Sequence, residues 1–419
     1  MPREEPSDDE ADLVEWNLGF VEPPERATDL LRHRFPSKVG GRPAWLDPVH
    51  LPGSVELTCA ASGQPLRFLL QLYCPPDAAG PHAFHRSVFL FVSPRGDKLA
   101  SPGAVRALRC QLARENPYYS SDPPGPGDLV PPELPAADAA AVAAADPWRS
   151  YAAERIHAAI HARQGGAAGG AAAAAAAAAG GSAEEGSGGG GGGSSSGGGS
   201  GGGGGGGRGP RLFKELELLV EPEPEDDGEG SAEVQRVLSA YRSRVEAEGD
   251  YDEDELPGDV MDGLQDATKE QFAAFQARCA RAPEQCLRYC FQPGAAPLWP
   301  ALANRPKPGD VPDCPGCGKP RRFEFQVMPQ LLNFLDVDDE DPHAPDWGTI
   351  AVYSCPDSCV EAAARRGGDS AYAEEFVWVE EISSAIAHKK DQEAQALSDP
   401  LEAYCGDNPA ADECRVYDD

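Results

Sequence analysis

The 419-residue chain carries 69 acidic against 36 basic side chains, a formal net charge of −33. That balance repels phosphate and anionic lipid, so it argues against direct nucleic-acid binding and against attachment to a membrane surface. A binder that uses this charge needs a cationic partner, with ribosomal proteins and histones the obvious examples, although solubility alone also accounts for acidity.

A hydrophobic content of 41% supports real cores and the length allows two or three domains, yet 47 glycines and 41 prolines, unevenly spread, assign much of the chain to linker. The opening MPREEPSDDEADLVEW lacks the apolar segment of a secretory signal, and the nine alanines from Ala171 to Ala179 are too few and too weakly apolar to span a bilayer. The expectation is a soluble, intracellular chain, cytoplasmic and also nuclear. Its 12 cysteines then meet a reducing environment, where close pairs point to metal more often than to disulfide.

In chain order, residues 13–121 form a first β-rich module, with RFLLQLY and SVFLFV as short buried strands rich in branched and aromatic side chains. DPWRSYAAERIHAAIHAR places Trp148, Ala152, Ile156 and Ile160 at helical spacing, which predicts an amphipathic helix with those four inward. His157 and His161 lie one turn apart on it without an HExxH pattern, which favours a solvated face over a metal site. Residues 165–209, almost entirely Gly, Ala and Ser, read as a flexible tether. Residues 211–266 form an acidic segment: from Glu215 to Asp266 there are 19 acidic side chains and three basic ones, about half of the net charge. Within it Val234, Val237, Leu238, Tyr241 and Val245 make one helical stripe.

Residues 267–383 form a C-terminal domain. A helix is expected through ATKEQFAAFQARCARA and another from Pro283 through PEQCLRYC, with Cys279, Cys286 and Cys290 as small apolar packing residues in these helices. β-rich sequence follows from Pro312 to about Ile382, and residues 384–419 are a polar tail. The predicted fold class is α+β and β-rich: two related sheet modules joined by a long disordered linker and helices.

The relation between the modules is visible without gaps. Laid on PDCPGCGKPRRFEFQ, the stretch LTCAASGQPLRFLLQ matches Cys59 to Cys314, Ser62 to Cys317, Gly63 to Gly318, Phe68 to Phe323 and Gln71 to Gln326. RSVFLFVS then aligns with GTIAVYSC, so Ser93 stands opposite Cys355 and Asp97 opposite Cys359. This pattern reads as an internal duplication. In the C-terminal copy Cys314 and Cys317 are separated by 37 residues from Cys355 and Cys359, two short-spaced pairs that suit a tetrahedral thiolate site for structural zinc. Four thiolates would fill the shell and leave no place for catalytic water. Reduced thiols or redox use of Cys314 and Cys317 are the alternatives. The N-terminal copy keeps only Cys59, and a serine hydroxyl is a poor zinc ligand. With no GxSxG, Walker loop or HExxH present, the sequence predicts no enzyme. His82 and His85 beside Arg86 are read as hydrogen-bonding or partner-surface groups rather than acid–base pairs.

FPSKVGGRPAWL, QPLRFLLQLYCP, AFHRSVFLFV and RENPYY, with EQCLRYCF, APLWP, DWGTIAVYSC and EEFVW in the other half, resemble the programmed cell death protein 2 family. That resemblance covers roughly residues 13–116 and 213–379. It implies a β-rich body and a role as dedicated chaperone for a basic small-subunit ribosomal protein, the universal S-five protein, called S-two in eukaryotic nomenclature. Many relatives carry a MYND zinc finger between the modules; here no cysteine falls between Cys110 and Cys279, so that finger is missing. Phe84, His85 and Arg86 form one candidate partner surface. A zinc-stabilised scaffold in cell-death or transcriptional regulation is the competing expectation, and charge alone would also suit a histone chaperone.

Overall fold

A computed structural model describes residues 14–76, 80–165, 211–224, 271–272, 274–301, 304–337, 341, 343–359 and 370–381. The tether, the stripe from Val234 to Val245 and the polar tail lie outside these residues.

Ten strands close into one antiparallel barrel: β1 (Asn17–Glu22), β2 (Lys38–Val39), β3 (Arg67–Tyr73), β4 (His85–Val92), β5 (Val105–Leu112), β6 (Leu216–Pro222), β7 (Leu287–Tyr289), β8 (Arg322–Val327), β9 (Thr349–Ser354) and β10 (Ala373–Glu380). Around the barrel their order is β1-β6-β2-β3-β4-β5-β10-β9-β8-β7. The two sheets expected as separate modules are therefore halves of a single wall, stitched where β10 pairs β5 and where β1 pairs both β6 and β7. Closure covers most of the edge that two small open sheets would expose, all but the far end of β6 beyond its short pairing with β2 among the described residues.

Alternation along the strands builds two cores. Val88, Leu90 and Val92 of β4 share the barrel interior with Leu70, Leu72, Leu216, Leu218, Leu287, Phe325, Ile350 and Val352. The intervening Phe89 and Phe91 face outward, yet they are buried as well, under Trp45, Tyr118, Trp148 and Tyr372. That outer layer explains why all eight residues of β4 are buried. It is completed by helices α1 (Ala136–Ala145) and α2 (Ser150–Gly165).

Helix α2 forms where its sequence predicts, but with the other face inward. Glu154 is buried and pairs with Arg32 Nε at 3.0 Å, whereas Ala152, Ile156 and Ile160 are exposed. Only Trp148, ahead of the helix, packs as expected. PEQCLRYC is not a helix: it yields strand β7, flanked by Cys286 and Cys290. Residues 274–280 are helical, so of the three cysteines only Cys279 is in a helix. All three are nonetheless buried among apolar side chains.

The matched segments share local geometry. Gly63 N–H donates to Cys59 O, and Gly318 N–H to Cys314 O, both at 2.8 Å. Both glycines adopt positive φ, +67° and +73°, as a turn this tight requires. Register shifts occur at Phe68/Leu70 in β3 and at Phe323/Phe325 in β8. Buried Gln71 accepts from Ala44 N–H at 2.8 Å and donates to Ala44 O at 3.4 Å; buried Gln326 does the same with Leu298, at 2.6 and 2.9 Å. Trp45 and Trp299 follow these two anchored residues, and both are buried.

Candidate metal centre

Cys314 begins the turn ahead of β8, where its own N–H donates to Lys319 O at 2.8 Å. Cys355 directly follows β9, and the turn it begins is closed by Ser358 N–H donating to Cys355 O at 3.0 Å. Because β8 and β9 are paired neighbours, the two cysteine pairs meet at one end of the ladder. The sulfurs of Cys314, Cys317, Cys355 and Cys359 all lie within 4.8 Å of one another. Cys314 Sγ is 3.5 Å from Cys359 Sγ, and Cys317 Sγ is 3.6 Å from Cys355 Sγ. Four ligands at about 2.3 Å from a tetrahedral ion would stand about 3.8 Å apart, so the quartet fits a metal of that geometry. Among the described residues no other set of three or more His, Cys, Asp or Glu converges in this way.

The electrostatics favour a cation at its centre. Burial raises the Cys355 thiol to about 11 and the Cys359 thiol further, and the neighbouring sulfurs add to this. Cys314 goes the other way: burial opposes ionisation, but backbone N–H groups of Cys317 and Gly316 point at its sulfur and lower it. A divalent ion would supply the charge that lets the remaining thiols ionise. Lys319, paired with Asp357, is the nearby exposed cation.

The site loop is held by the other half of the barrel. Gln111 Nε2 donates to Ser358 O at 2.6 Å and Arg109 Nη2 to Cys359 O at 3.1 Å, while His82 Nε2 lies 3.2 Å from Ser358 O. Arg109 is fixed in turn by Glu375, at 2.7 Å, a carboxylate that also receives Arg321 at 2.9 Å. The clamp has no local sequence signature, since its contacts join residues up to 276 positions apart.

At the equivalent N-terminal position Cys59 Sγ lies 3.3 Å from Ser93 Oγ and accepts from Ser62 N–H at 3.3 Å. Asp97, the fourth matched residue, is bound instead by Arg95 at 2.9 Å and by Lys98 at 3.5 Å. The two turns share their shape, but Ser62, Ser93 and Asp97 stand where three of the four thiols stand in the C-terminal half.

Of the three candidate partner-surface residues, Phe84 is 45% exposed, His85 is buried and Arg86 is wholly buried. His85 stacks on Phe35 with ring centres 4.1 Å apart, and its Nδ1 lies 3.0 Å from Tyr73 Oη. Arg86 crosses the barrel interior to Glu324, with Nη2 to Oε2 at 2.8 Å, and donates to Cys74 O at 3.1 Å. The three therefore do not form a common surface. Among the described residues His157 and His161 belong to no convergent ligand set.

A ten-stranded barrel whose halves carry parallel turns, with a cysteine quartet on one of them, defines a β-barrel protein with one thiol-rich centre. Comparison with known proteins places it further: the chain belongs to the programmed cell death protein 2 family. Residues 15–126 match the family's N-terminal domain and residues 269–381 its C-terminal putative domain. It is 34% identical to programmed cell death protein 2 of Bos taurus over 379 residues, 88% of this chain and 97% of the relative, and 34% identical to that of Mus musculus over 370 residues, 87% and 96%. Residues 359–418 also match the CP12 domain. There the similarity is to Calvin cycle protein CP12, chloroplastic, of Chlamydomonas reinhardtii, 49% identical over 71 residues, 16% of this chain and 62% of the relative. No solved structure matches the chain. Among the described residues no helix is long and apolar enough to cross a membrane.

Proposed function

We propose that this protein is a dedicated chaperone of a basic small-subunit ribosomal protein, the universal S-five protein, which it holds soluble until small-subunit assembly. The observation that carries this reading is family membership across both halves of the chain. The net charge of −33 supports it, since an acidic protein screens a cationic client and competes with nonspecific RNA contacts. The role needs no catalysis, and the protein acts by binding, in the cytoplasm and nucleus. The cysteine quartet holds zinc as a structural ion, supported by donors of one soft type and by a shell that four thiolates complete. The two halves descend from one module by duplication, supported by the matched turns, register shifts and glutamine anchors. Affinity purification with mass spectrometry, repeated after translation shutoff, tests the client. Enrichment of one newly made small-subunit protein that fades after shutoff is expected; recovery of histones or transcription factors in its place overturns the reading.

The match of residues 359–418 favours a second reading for the C-terminal segment, that it gives the chain a role tied to the Calvin cycle in the chloroplast. Detection of the native protein in purified chloroplasts would support it. Confinement to cytosolic and nuclear fractions would defeat it.

A further inference from the structure

The barrel wall is thinnest at β2, whose two residues are the only strand pairing between β6 and β3 among the described residues. β6 runs on past it. Leu218 N–H still donates to Ser37 O at 3.0 Å, but Leu219 to Pro222 have no strand beside them on that edge among the described residues. The register says which backbone groups face the gap. Gly19 O accepts from Cys286 N–H at 2.7 Å, on the β7 side, so the Gly19–Val220 pair in β1–β6 is not a hydrogen-bonded one. Val220 therefore turns its N–H and C=O away from β1 and into the gap. Its side chain is 42% exposed.

Across the gap the edge of β3 is already blocked, because Ser37 Oγ accepts from Tyr73 N–H at 3.0 Å and Pro75 has no N–H to offer. Between the two edges lies a cavity of about 480 Å³ lined by residues of β6 and the end of β3, with Phe35, Tyr73 and Tyr289 among its walls. Arg34 also lines it, with its Nε buried and without a hydrogen-bond partner. The rim is acidic. Glu217 lines the cavity and sits directly opposite Glu22, and burial, followed by the charges of Asp29, Glu22 and Glu25, raises its pKa. Among the described residues Arg26 pairs with Asp29 at 2.8 Å, and the remaining Glu22, Glu25 and Glu217 outnumber the remaining cation there, Arg34.

We propose that this seam is where the client docks, an extended lysine- or arginine-bearing segment adding to the free edge of β6 at Val220 while its cations meet Glu22, Glu25 and Glu217. The proposal rests on the chaperone reading and deepens it. Main-chain pairing supplies affinity in such strand addition, and side-chain chemistry supplies selection. The chain's own acidic segment is a poor occupant, because it would bring like charge to this rim.

The test is titration of the purified full-length protein with the ribosomal S-two protein, kept soluble as a fusion, at two salt concentrations. Val220→Pro removes the donor facing the seam and, among the described residues, no internal hydrogen bond, so its melting should match wild type. It should weaken binding by about tenfold or more. The pair Glu22→Gln with Glu217→Gln tests the rim without touching the backbone: it should weaken binding several-fold at low salt and flatten the salt dependence. Unchanged affinity in both variants would overturn the seam while leaving the chaperone reading standing. A wild-type protein that does not bind the S-two fusion at all would overturn both.

Discussion

Arg86 and Glu324 offer the sharpest test of whether the two halves form one folding unit. One comes from β4 and the other from β8, 238 positions apart, and neither side chain has any exposed surface. Arg86 holds the Glu324 carboxyl below the usual carboxylate range, and Glu324 raises the guanidinium in turn, each against the cost of burial. Replacing Glu324 by leucine strands a buried cation, and loss of one partner of such a pair costs about 3–5 kcal/mol. Arg86→Met should cost a similar amount, since it strands the carboxylate. The double variant removes both charges and leaves mainly Cys74 O, which accepts from Arg86 at 3.1 Å, short of a donor. That residual loss is about 1–3 kcal/mol. The double variant should therefore be more stable than either single one, with a coupling of about 2 kcal/mol or more. Guanidinium denaturation at pH 7, followed by tryptophan fluorescence, measures this, and wild type should unfold in one transition. The pair's stabilisation is present above the unfolded carboxylate pKa of about 4.3 and fades as pH falls through the lower folded value. Single variants that lose less than about 1 kcal/mol, or a double variant whose loss equals their sum, would refute the reasoning.

Two further outcomes follow from the side chains already described. Protein purified under reducing conditions should contain about one zinc per chain, with Cys314→Ser and Cys355→Ser losing it and melting at lower temperature; absence of metal together with unchanged melting in chelator would contradict this. Glu380 is buried with one carboxylate oxygen unpartnered, and burial raises its pKa from 4.5 to about 7 against the pull of Arg305. Its folded form keeps the proton longer than the unfolded form, so its stabilisation is full below about pH 4.5 and is lost as pH rises to about 7. Glu380→Gln should then gain about 1–3 kcal/mol at pH 8 and little at pH 4.5, read from melting curves across that range.

What the sequence made legible was local. The turn from Cys314 to Gly318 and its counterpart from Cys59 to Gly63 could be aligned because both are set by a positive-φ glycine and a following strand. Cys355 and Cys359 join the candidate site because they form a second short-spaced pair of the kind that ligates metal. What stayed hidden depends on distant partners. The burial of Arg86 is decided by Glu324, and the inward face of α2 by the Arg32–Glu154 pair, which outweighs the apolar spacing of Ile156 and Ile160. LRY is too short for its periodicity to separate helix from strand; the edges of β1 and β8 settle it. A single barrel in place of two modules rests on the β1–β6 and β5–β10 pairings, which no local pattern announces. The tail is polar in composition, but it contains Cys405 and Cys414, a spaced cysteine pair within the CP12 match.

The most direct measurement of the chaperone claim is cell-free synthesis of the ribosomal S-two protein without ribosomal RNA, in the presence or absence of the purified full-length chain. With it, the newly made protein should stay in the supernatant as an equimolar complex that weakens with salt. Equal sedimentation of the S-two protein in both reactions, with no complex recovered, would contradict the claim.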